Sequence, residues 1–349
     1  SRIIGRRFKL VHVFNRSELI EVATFRSGEI NSNDGELVKD QSGKIIRDNI
    51  WGNLDQDTYR RDFTVNALYY CPKTKKIIGH KDGMSDIHKK SIVSIGDPKK
   101  RFSEDPVRSL RAIRFSNKLK FKIDTKIKDA IYEKGHLLSS ISNARIFDEF
   151  CKMFLNGMAE KNFNKLNSFG LSKFLITTEP DQNEFTSKLI TEALRNTDKR
   201  LINNQSVTPG FLLAALLWPQ LIEKCSTKGE INLRKFFRSM DPILRGQQRI
   251  TAIPRKFHSY IKDIWVLQLK LHSRIGKQPY KTLKHPRFRA AYDFMLIREK
   301  SSGETKSLGK WWTNFQKNDE NLKKSLIGSL KEKSQQESFK TFGFSQELR

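Results

Sequence analysis

Two runs in this chain set charged side chains against apolar ones at close spacing. The first is Arg60-Arg61-Asp62-Phe63-Thr64-Val65-Asn66-Ala67-Leu68. The second is Glu104-Asp105-Pro106-Val107-Arg108-Ser109-Leu110-Arg111-Ala112-Ile113-Arg114-Phe115. Charges held that close to a core usually face something, because desolvating them without a partner is costly. In the first run Asp62 and Asn66 are four apart, so on a helix they share a face and offer a carboxylate and a carboxamide to a ligand. Arg60 and Arg61 beside them can take phosphate oxygens, whose geometry the guanidinium matches. An ordinary Arg–Asp pair on a helix surface remains the alternative.

In the second run Asp105 and Arg108 are three apart and point the same way on a helix. Together they present an acceptor and donors. Adenine shows the complementary edge, an amino donor at N6 and a ring acceptor at N1. One carboxylate and one guanidinium can therefore select a base without a nucleic-acid template. Glu104, with Arg108 and Arg111, can brace the pair, and Arg114 continues the basic series. The alternative is a surface ion pair of about 0–1 kcal/mol.

Other candidates are weaker. Glu21 lies inside the otherwise apolar run Leu19-Ile20-Glu21-Val22-Ala23. It reads either as an edge-strand glutamate facing water or as a divalent-metal carboxylate for phosphoryl transfer, and one carboxylate does not make a two-metal clamp. Arg6 and Arg7 precede a strand and suit a triphosphate or an RNA backbone as well as they suit a solvated turn. His12 reads as structural. Trp311 and Trp312 suit base stacking or packing, and packing is favoured for at least one of them. Arg145, Asp148 and Glu149 read as supports or phosphate contacts.

The chain has 349 residues, with 66 Lys and Arg against 38 Asp and Glu, a net charge of +28. So large an excess opposes compaction and points to a polyanion partner, since binding one releases counterions. Cys71, Cys151 and Cys225 form no disulfide or zinc pattern, which fits a reducing cytosol. The longest apolar stretch, near Phe211 to Trp218, is far short of the roughly 20 residues of a membrane span. A cytoplasmic protein with no membrane partner is expected.

Alternation over residues 7–25, broken at Asn15-Arg16-Ser17, predicts a strand hairpin. Residues 27–50 are polar and glycine-bearing and read as a loop that substrate orders. A helix is expected over 55–69, capped by Asp55 or Asp57. A turn-rich strand pair is expected over 75–95, with a tight turn at Asp82-Gly83. A helix is expected to start at Ser103-Glu104-Asp105-Pro106, with Ser103 as its cap. From there the chain reads as almost wholly helical, including a buried helix over Phe211 to Leu217, until a polar, lysine-rich end. The fold class is thus α+β. The expected domains are a strand-bearing head at 1–100, helical segments at 101–165 and 166–320, and a flexible basic tail at 321–349.

These runs also carry a resemblance. Gly5-Arg6-Arg7-Phe8-Lys9-Leu10-Val11-His12-Val13, Ile20-Glu21-Val22-Ala23-Thr24-Phe25-Arg26, the Arg61-to-Leu68 and Glu104-to-Phe115 runs, and Ala144-Arg145-Ile146-Phe147-Asp148-Glu149 resemble, in order, the class II tRNA nucleotidyltransferase/poly(A) polymerase family. Weaker likeness continues through Trp311-Trp312, and the Gly-Arg-Arg-Phe-Lys-Leu-Val-His-Val run looks like the bacterial poly(A) polymerase branch. The resemblance implies a nucleotidyltransferase head with a five-stranded mixed sheet, followed by helical neck, body and leg. It implies ATP as donor, Mg2+, and RNA 3′ ends (mRNA, small RNA or tRNA) as acceptor, in a monomer that adds AMP without a template. Addition of CCA to tRNA and non-catalytic RNA binding are the alternatives. Glu21 would match a metal carboxylate, Asp62 a nucleotide-binding position, and Asp105 with Arg108 the base-reading pair. The family's Asp-x-Asp pair would lie ahead of the Gly-Arg-Arg-Phe run, where this sequence opens on Ser1. The polypeptide as it stands is therefore expected to be inactive or nearly so.

Overall fold

The structure is a computed structural model and describes residues 1–4, 10–16, 18–27, 37–39, 45–48, 51–180, 182–227, 230–302, 307–317 and 319–333. The chain divides into two compact units, Ser1–Ser140 and Ile141–Arg349.

The first unit carries most of the strands. β1 (Arg2–Ile4), β2 (Leu10–Asn15) and β3 (Glu18–Val22) form an antiparallel sheet in that order. The expected hairpin is present: Arg16 takes a left-handed conformation (φ 54°) between β2 and β3, as a tight reversal requires. This is the largest sheet among the described residues, smaller than the five-stranded one expected. Inside the stretch read as a loop, β4 (Leu37–Lys39) and β5 (Ile45–Asp48) pair antiparallel; residues 28–36, 40–44, 49 and 50 lie outside the described residues.

α1 (Leu54–Arg60) is shorter than the helix expected, and neither Asp55 nor Asp57 caps it. Asn53 does, in a reciprocal capping box with Gln56. Arg61 is already extended (φ −67°, ψ 166°). Beyond it the Asp62 carboxylate accepts from the Phe63 N–H (2.9 Å), a local bond that competes with helix continuation. A short 3-10 turn over Thr64–Asn66 leads into β6 (Leu68–Cys71), which pairs antiparallel with β7 (Lys76–Gly79). Gly79 sits at φ +131°, where an added Cβ would stand 2.2 Å from the Ala67 carbonyl oxygen, so only glycine fits the strand end. Asp82-Gly83, expected as a tight turn, opens the short helix α2 (Gly83–His88) instead. β8 (Ser91–Ile92) follows.

The helix expected to start at Ser103 is in fact two. α3 (Pro98–Glu104) starts earlier, with Pro98 in its first turn and Asp97 accepting from Lys99 and Lys100. Ser103 Oγ does not cap; it donates to the Lys99 carbonyl. Asp105 is extended (φ −144°, ψ 91°), as steric conflict with Pro106 favours, and α4 (Val107–Leu119) begins just after. Val107, Leu110, Ile113 and Ser116 recur every three residues along its buried side. With Phe63, Ile92, Phe102, and Ile127 and Ile131 of α5 (Thr125–Lys134), they make the core of this unit. β9 (Lys122–Ile123) pairs with β8 in parallel.

Among the described residues the second unit is helical apart from a two-residue ladder, Ser226–Thr227 with Glu230–Ile231. Its helices are α6 (Asn143–Phe154), α7 (Ala159–Ser168), α8 (Glu184–Ile202), α9 (Pro209–Cys225), α10 (Leu233–Gln248), α11 (Arg255–Lys270), α12 (Gln278–Leu283), α13 (Phe288–Ser302), α14 (Leu308–Phe315) and α15 (Glu320–Lys333). From Gly210 to Pro219 α9 is apolar all round and buried on every side, so this stretch forms the centre, packed by α8, α10, α11 and α13. Trp311 and Trp312 both belong to the core, at 7% and 0% exposure, so packing accounts for both. The start of the expected flexible tail is helical: α15 buries Ile327 against the Trp311–Trp312 cluster. Residues 334–349 lie outside the described residues. No helix of the described residues is long and apolar enough to cross a membrane.

Candidate functional site

The two charged runs meet inside the first unit. At the end of α1 the Asp57 carboxylate, 5% exposed, gathers four groups. Arg60 Nε donates to Oδ1 (3.2 Å), Arg61 Nη2 to Oδ2 (2.9 Å), the Tyr69 hydroxyl to Oδ2, and the Arg26 backbone N–H to Oδ1 (3.2 Å). Burial pushes the carboxyl up, but the Tyr69, Arg61 and Arg60 contacts outweigh it and hold it below its ordinary value. Burial and the bond to Asp57 raise the Tyr69 phenol. Arg61, read from sequence as facing a ligand, is largely engaged by the protein. Its Nε also reaches the Tyr69 oxygen (2.9 Å), its Nη1 donates to the Asn66 carbonyl (3.3 Å), and its plane lies over the Tyr69 ring.

Asp62 and Asn66 do touch, Asn66 Nδ2 donating to Asp62 Oδ1 at 3.0 Å. A turn rather than a helix face brings them together. The other oxygen of Asp62 accepts from Arg111 Nε at 2.6 Å, joining the first run to the second. Arg111 thus holds Asp62 and does not brace Glu104. Glu104 instead takes Arg101 Nη1 (2.9 Å) and Arg108 Nη1 (3.2 Å) on one oxygen. Arg108 Nη1 also donates to the Arg101 carbonyl (2.7 Å). Asp105 Oδ1 accepts from the Val107 N–H (3.2 Å) and serves the first turn of α4. The guanidiniums of Arg111 and Arg114 both lie against the Phe115 ring, which packs edge-on to Phe63.

Arg108 and Arg111 stand one turn apart on α4, each fixed through one nitrogen. Arg108 Nε and Nη2, and both terminal nitrogens of Arg111, make no hydrogen bond among the described residues. Asp105 is extended and precedes α4, so it does not share a helix face with Arg108 as the spacing suggested; α4 itself presents two anchored guanidiniums with donors to spare. Such a face can hold a ligand carrying both acceptors and negative charge.

Sequence reading missed two members of this constellation. Asp57 stands three and four residues before Arg60 and Arg61, a spacing that suits an ion pair as well as the expected cap, and the structure shows the ion pairs. Arg101 gave no local signal. Its Nη2 donates to the carbonyls of Arg60 (2.6 Å) and Arg61 (2.7 Å), which lie 41 and 40 residues earlier. Burial, and then the charge of Arg108, lower its pKa, and its Nε is buried without a hydrogen-bond partner.

Glu21 sits on β3, the outer strand of its sheet, opposite His12 of β2; its side chain is 61% exposed and its Oε1 is 3.3 Å from His12 Nε2. Among the described residues no three His, Cys, Asp or Glu side chains gather to hold a metal ion. Glu21 and its surroundings therefore do not by themselves fit a two-metal site. Arg6 and Arg7 lie outside the described residues. Arg145, Asp148 and Glu149 belong to α6 in the second unit, where buried Glu149 pairs with Lys152 (2.8 Å).

Three family models match the chain. They are described as "Poly A polymerase head domain" over residues 1–93, "Probable RNA and SrmB- binding site of polymerase A" over 120–185, and "Polymerase A arginine-rich C-terminus" over 228–342. Poly(A) polymerase I of Haemophilus influenzae is 36% identical over 337 residues, spanning 93% of this chain and 75% of that protein. A CCA-adding enzyme of Pediococcus pentosaceus is 37% identical over 164 residues, spanning 46% of this chain and 39% of the other. A solved tRNA-processing enzyme in an apo form shares the fold, with a TM-score of 0.59 at 16% identity, over 94% of this chain and 83% of that one.

Proposed function

The chain belongs to the poly(A) polymerase/CCA-adding enzyme family of nucleotidyltransferases, and from that premise we propose that it extends RNA 3′ ends with AMP taken from ATP. The observation that carries the choice of AMP is the extent of the likeness. Poly(A) polymerase I matches along 93% of the chain, the CCA-adding enzyme along 46%. The net charge of +28 suits the RNA partner.

In this reading Asp105 accepts from the adenine N6 amino group, and Arg108, anchored through Nη1, donates to N1 from its other nitrogens. Arg111 and Arg114 add positive charge along α4, and Arg60 and Arg61 hold phosphate oxygens where their contacts with Asp57 leave them exposed. Asp62 and Asn66 fix Arg111 and the turn. The acceptor 3′-hydroxyl attacks the α-phosphate and pyrophosphate leaves, while the arginines neutralise the charge that builds on the phosphate oxygens. Glu21, exposed and paired with His12, supplies a single carboxylate and does not complete a metal site on its own. Equilibrium binding of nucleotides is the primary measurement.

Cytosine repeats the adenine pattern, an amino donor at N4 beside an acceptor at N3. The same pair therefore serves CTP, and CCA addition to tRNA is the second reading; the 37% identity to a CCA-adding enzyme over 164 residues supports it. Guanine and uracil present a carbonyl and an N–H in the reverse order. Binding of the four nucleoside triphosphates should follow ATP > CTP, with GTP and UTP weaker by at least about tenfold, or about 1.4 kcal/mol. CTP binding as well as ATP, with CMP incorporated on tRNA ends, establishes the second reading. Equal affinity for all four refutes base reading by Asp105 and Arg108.

A further inference from the structure

Arg101 belongs to neither charged run, yet both close on it. Its Nη2 donates to the carbonyls of Arg60 and Arg61, the last turn and cap of α1, where helix geometry leaves carbonyls without intrahelical partners. Its Nη1 holds Glu104. Its own carbonyl accepts from Arg108 Nη1, which also meets Glu104. One residue thus fixes the peptides that carry Arg60 and Arg61 and, through its carbonyl and Glu104, the orientation of Arg108. The arrangement needs a planar fork: two carbonyls on one nitrogen and a carboxylate on the other. A lysine ammonium presents its donors from a single point and cannot span them.

We propose that Arg101 is a positioning residue for base selection, holding the base-reading guanidinium of Arg108 in register with the phosphate-side Arg60-Arg61 turn. Arg101 makes no contact with the base in this scheme; it sets which edge of Arg108 is spent on the protein and which is left to donate. The inference rests on the base-reading role given above to Asp105 and Arg108.

The test measures affinities of the 349-residue chain for ATP, GTP, UTP and inorganic tripolyphosphate by equilibrium competition. Arg101→Lys keeps the charge, and its ATP:GTP and ATP:UTP preference is expected to fall at least fivefold while tripolyphosphate affinity stays within twofold. Phe102→Leu, at the neighbouring buried position of α3, should lower the melting temperature and leave the preference intact, so loosening of the unit alone does not imitate the effect. If Arg101→Lys keeps the full preference while Asp105→Ala and Arg108→Ala abolish it, the positioning role is overturned and base reading stands. If the unaltered chain shows no preference, or Asp105→Ala and Arg108→Ala leave it untouched, base reading is overturned and the positioning role goes with it.

Discussion

Each unit of this chain buries ionisable groups, and each handles the cost differently. The first keeps its charges and pairs them: Asp57 with Arg60 and Arg61, Asp62 with Arg111, Glu104 between Arg101 and Arg108. The second, packed around α9, sets few charges inside: Arg298 is buried against an aromatic ring, Glu149 is paired with Lys152, and one histidine is kept uncharged. His272 is held neutral, pushed down to about 3 by burial and then by Arg298 and Arg274. Arg298, 2% exposed, lies over the Trp218 ring and donates to the Gln268 side chain. A helical core needs only apolar surface to hold together, so a charge there is a liability. A surface that must meet a charged ligand keeps its charges and fixes their directions beforehand.

If pairing is what supports the first unit, breaking its most connected carboxylate should be its most damaging change. Asp57→Ala removes the shared partner of Arg60, Arg61, Tyr69 and the Arg26 N–H. It should cost about 3–5 kcal/mol, as loss of one member of a buried ion pair does. Hydrogen exchange should show the loss over residues 54–71 and leave the helices of the second unit protected. A loss below about 1 kcal/mol would mean that the pairing is incidental.

Acid separates the units further. The pKa of His272 is lowered, so the folded state stays neutral while the unfolded chain takes up a proton below about 6.5. Its contribution is present in full above that pH and declines as pH falls towards 3. By pH 5 the loss is about 2 kcal/mol. Asp57 also has a lowered pKa, but as a carboxylate its contribution holds down to the ordinary value of 3.8 and is lost only below it. The second unit should therefore soften first on acidification, and His272→Leu should flatten its stability between pH 6.5 and 5. Urea unfolding followed by tryptophan fluorescence reads this directly, because four of the five tryptophans, Trp218, Trp265, Trp311 and Trp312, belong to the second unit. An unchanged pH slope in His272→Leu would remove this half of the contrast.

The units also differed in how much the sequence disclosed. α9 announced itself through an unbroken apolar run, and the β2–β3 hairpin through alternation about a turn, because burial of one face or all faces writes directly into residue order. The first unit's site was legible in parts. Of the contacts that residue type and spacing suggested, that of Asp62 with Asn66 is present. The helix assumed to hold them was wrong, since Asp62 bonds its neighbour's N–H and turns the chain out of α1. The Asp62–Arg111 bond and the hold of Arg101 on the Arg60 and Arg61 carbonyls link residues 40 to 49 positions apart. Local spacing carries no trace of such contacts. Charged side chains reach partners that the sequence sets far away, whereas helical packing repeats every turn.

The smallest predicted effect tests whether connection, rather than charge as such, is what matters in the first unit. Lys99 and Arg101 are two residues apart on α3, both cationic and both paired to glutamates. Lys99 meets Glu133 at 2.5 Å, with both side chains exposed (52% and 43%); Arg101 meets Glu104 with its own side chain 17% exposed and its second nitrogen on two carbonyls. Water screens the first pair, and holding two long side chains together consumes most of what their attraction gains. Lys99→Ala should leave thermal stability and nucleotide preference unchanged within error, even though its pair is the shorter of the two. In the proposed role Arg101 acts through what its fork joins, so a measurable change in preference from Lys99→Ala would show that the general positive field of α3, not the specific contacts of Arg101, sets the preference.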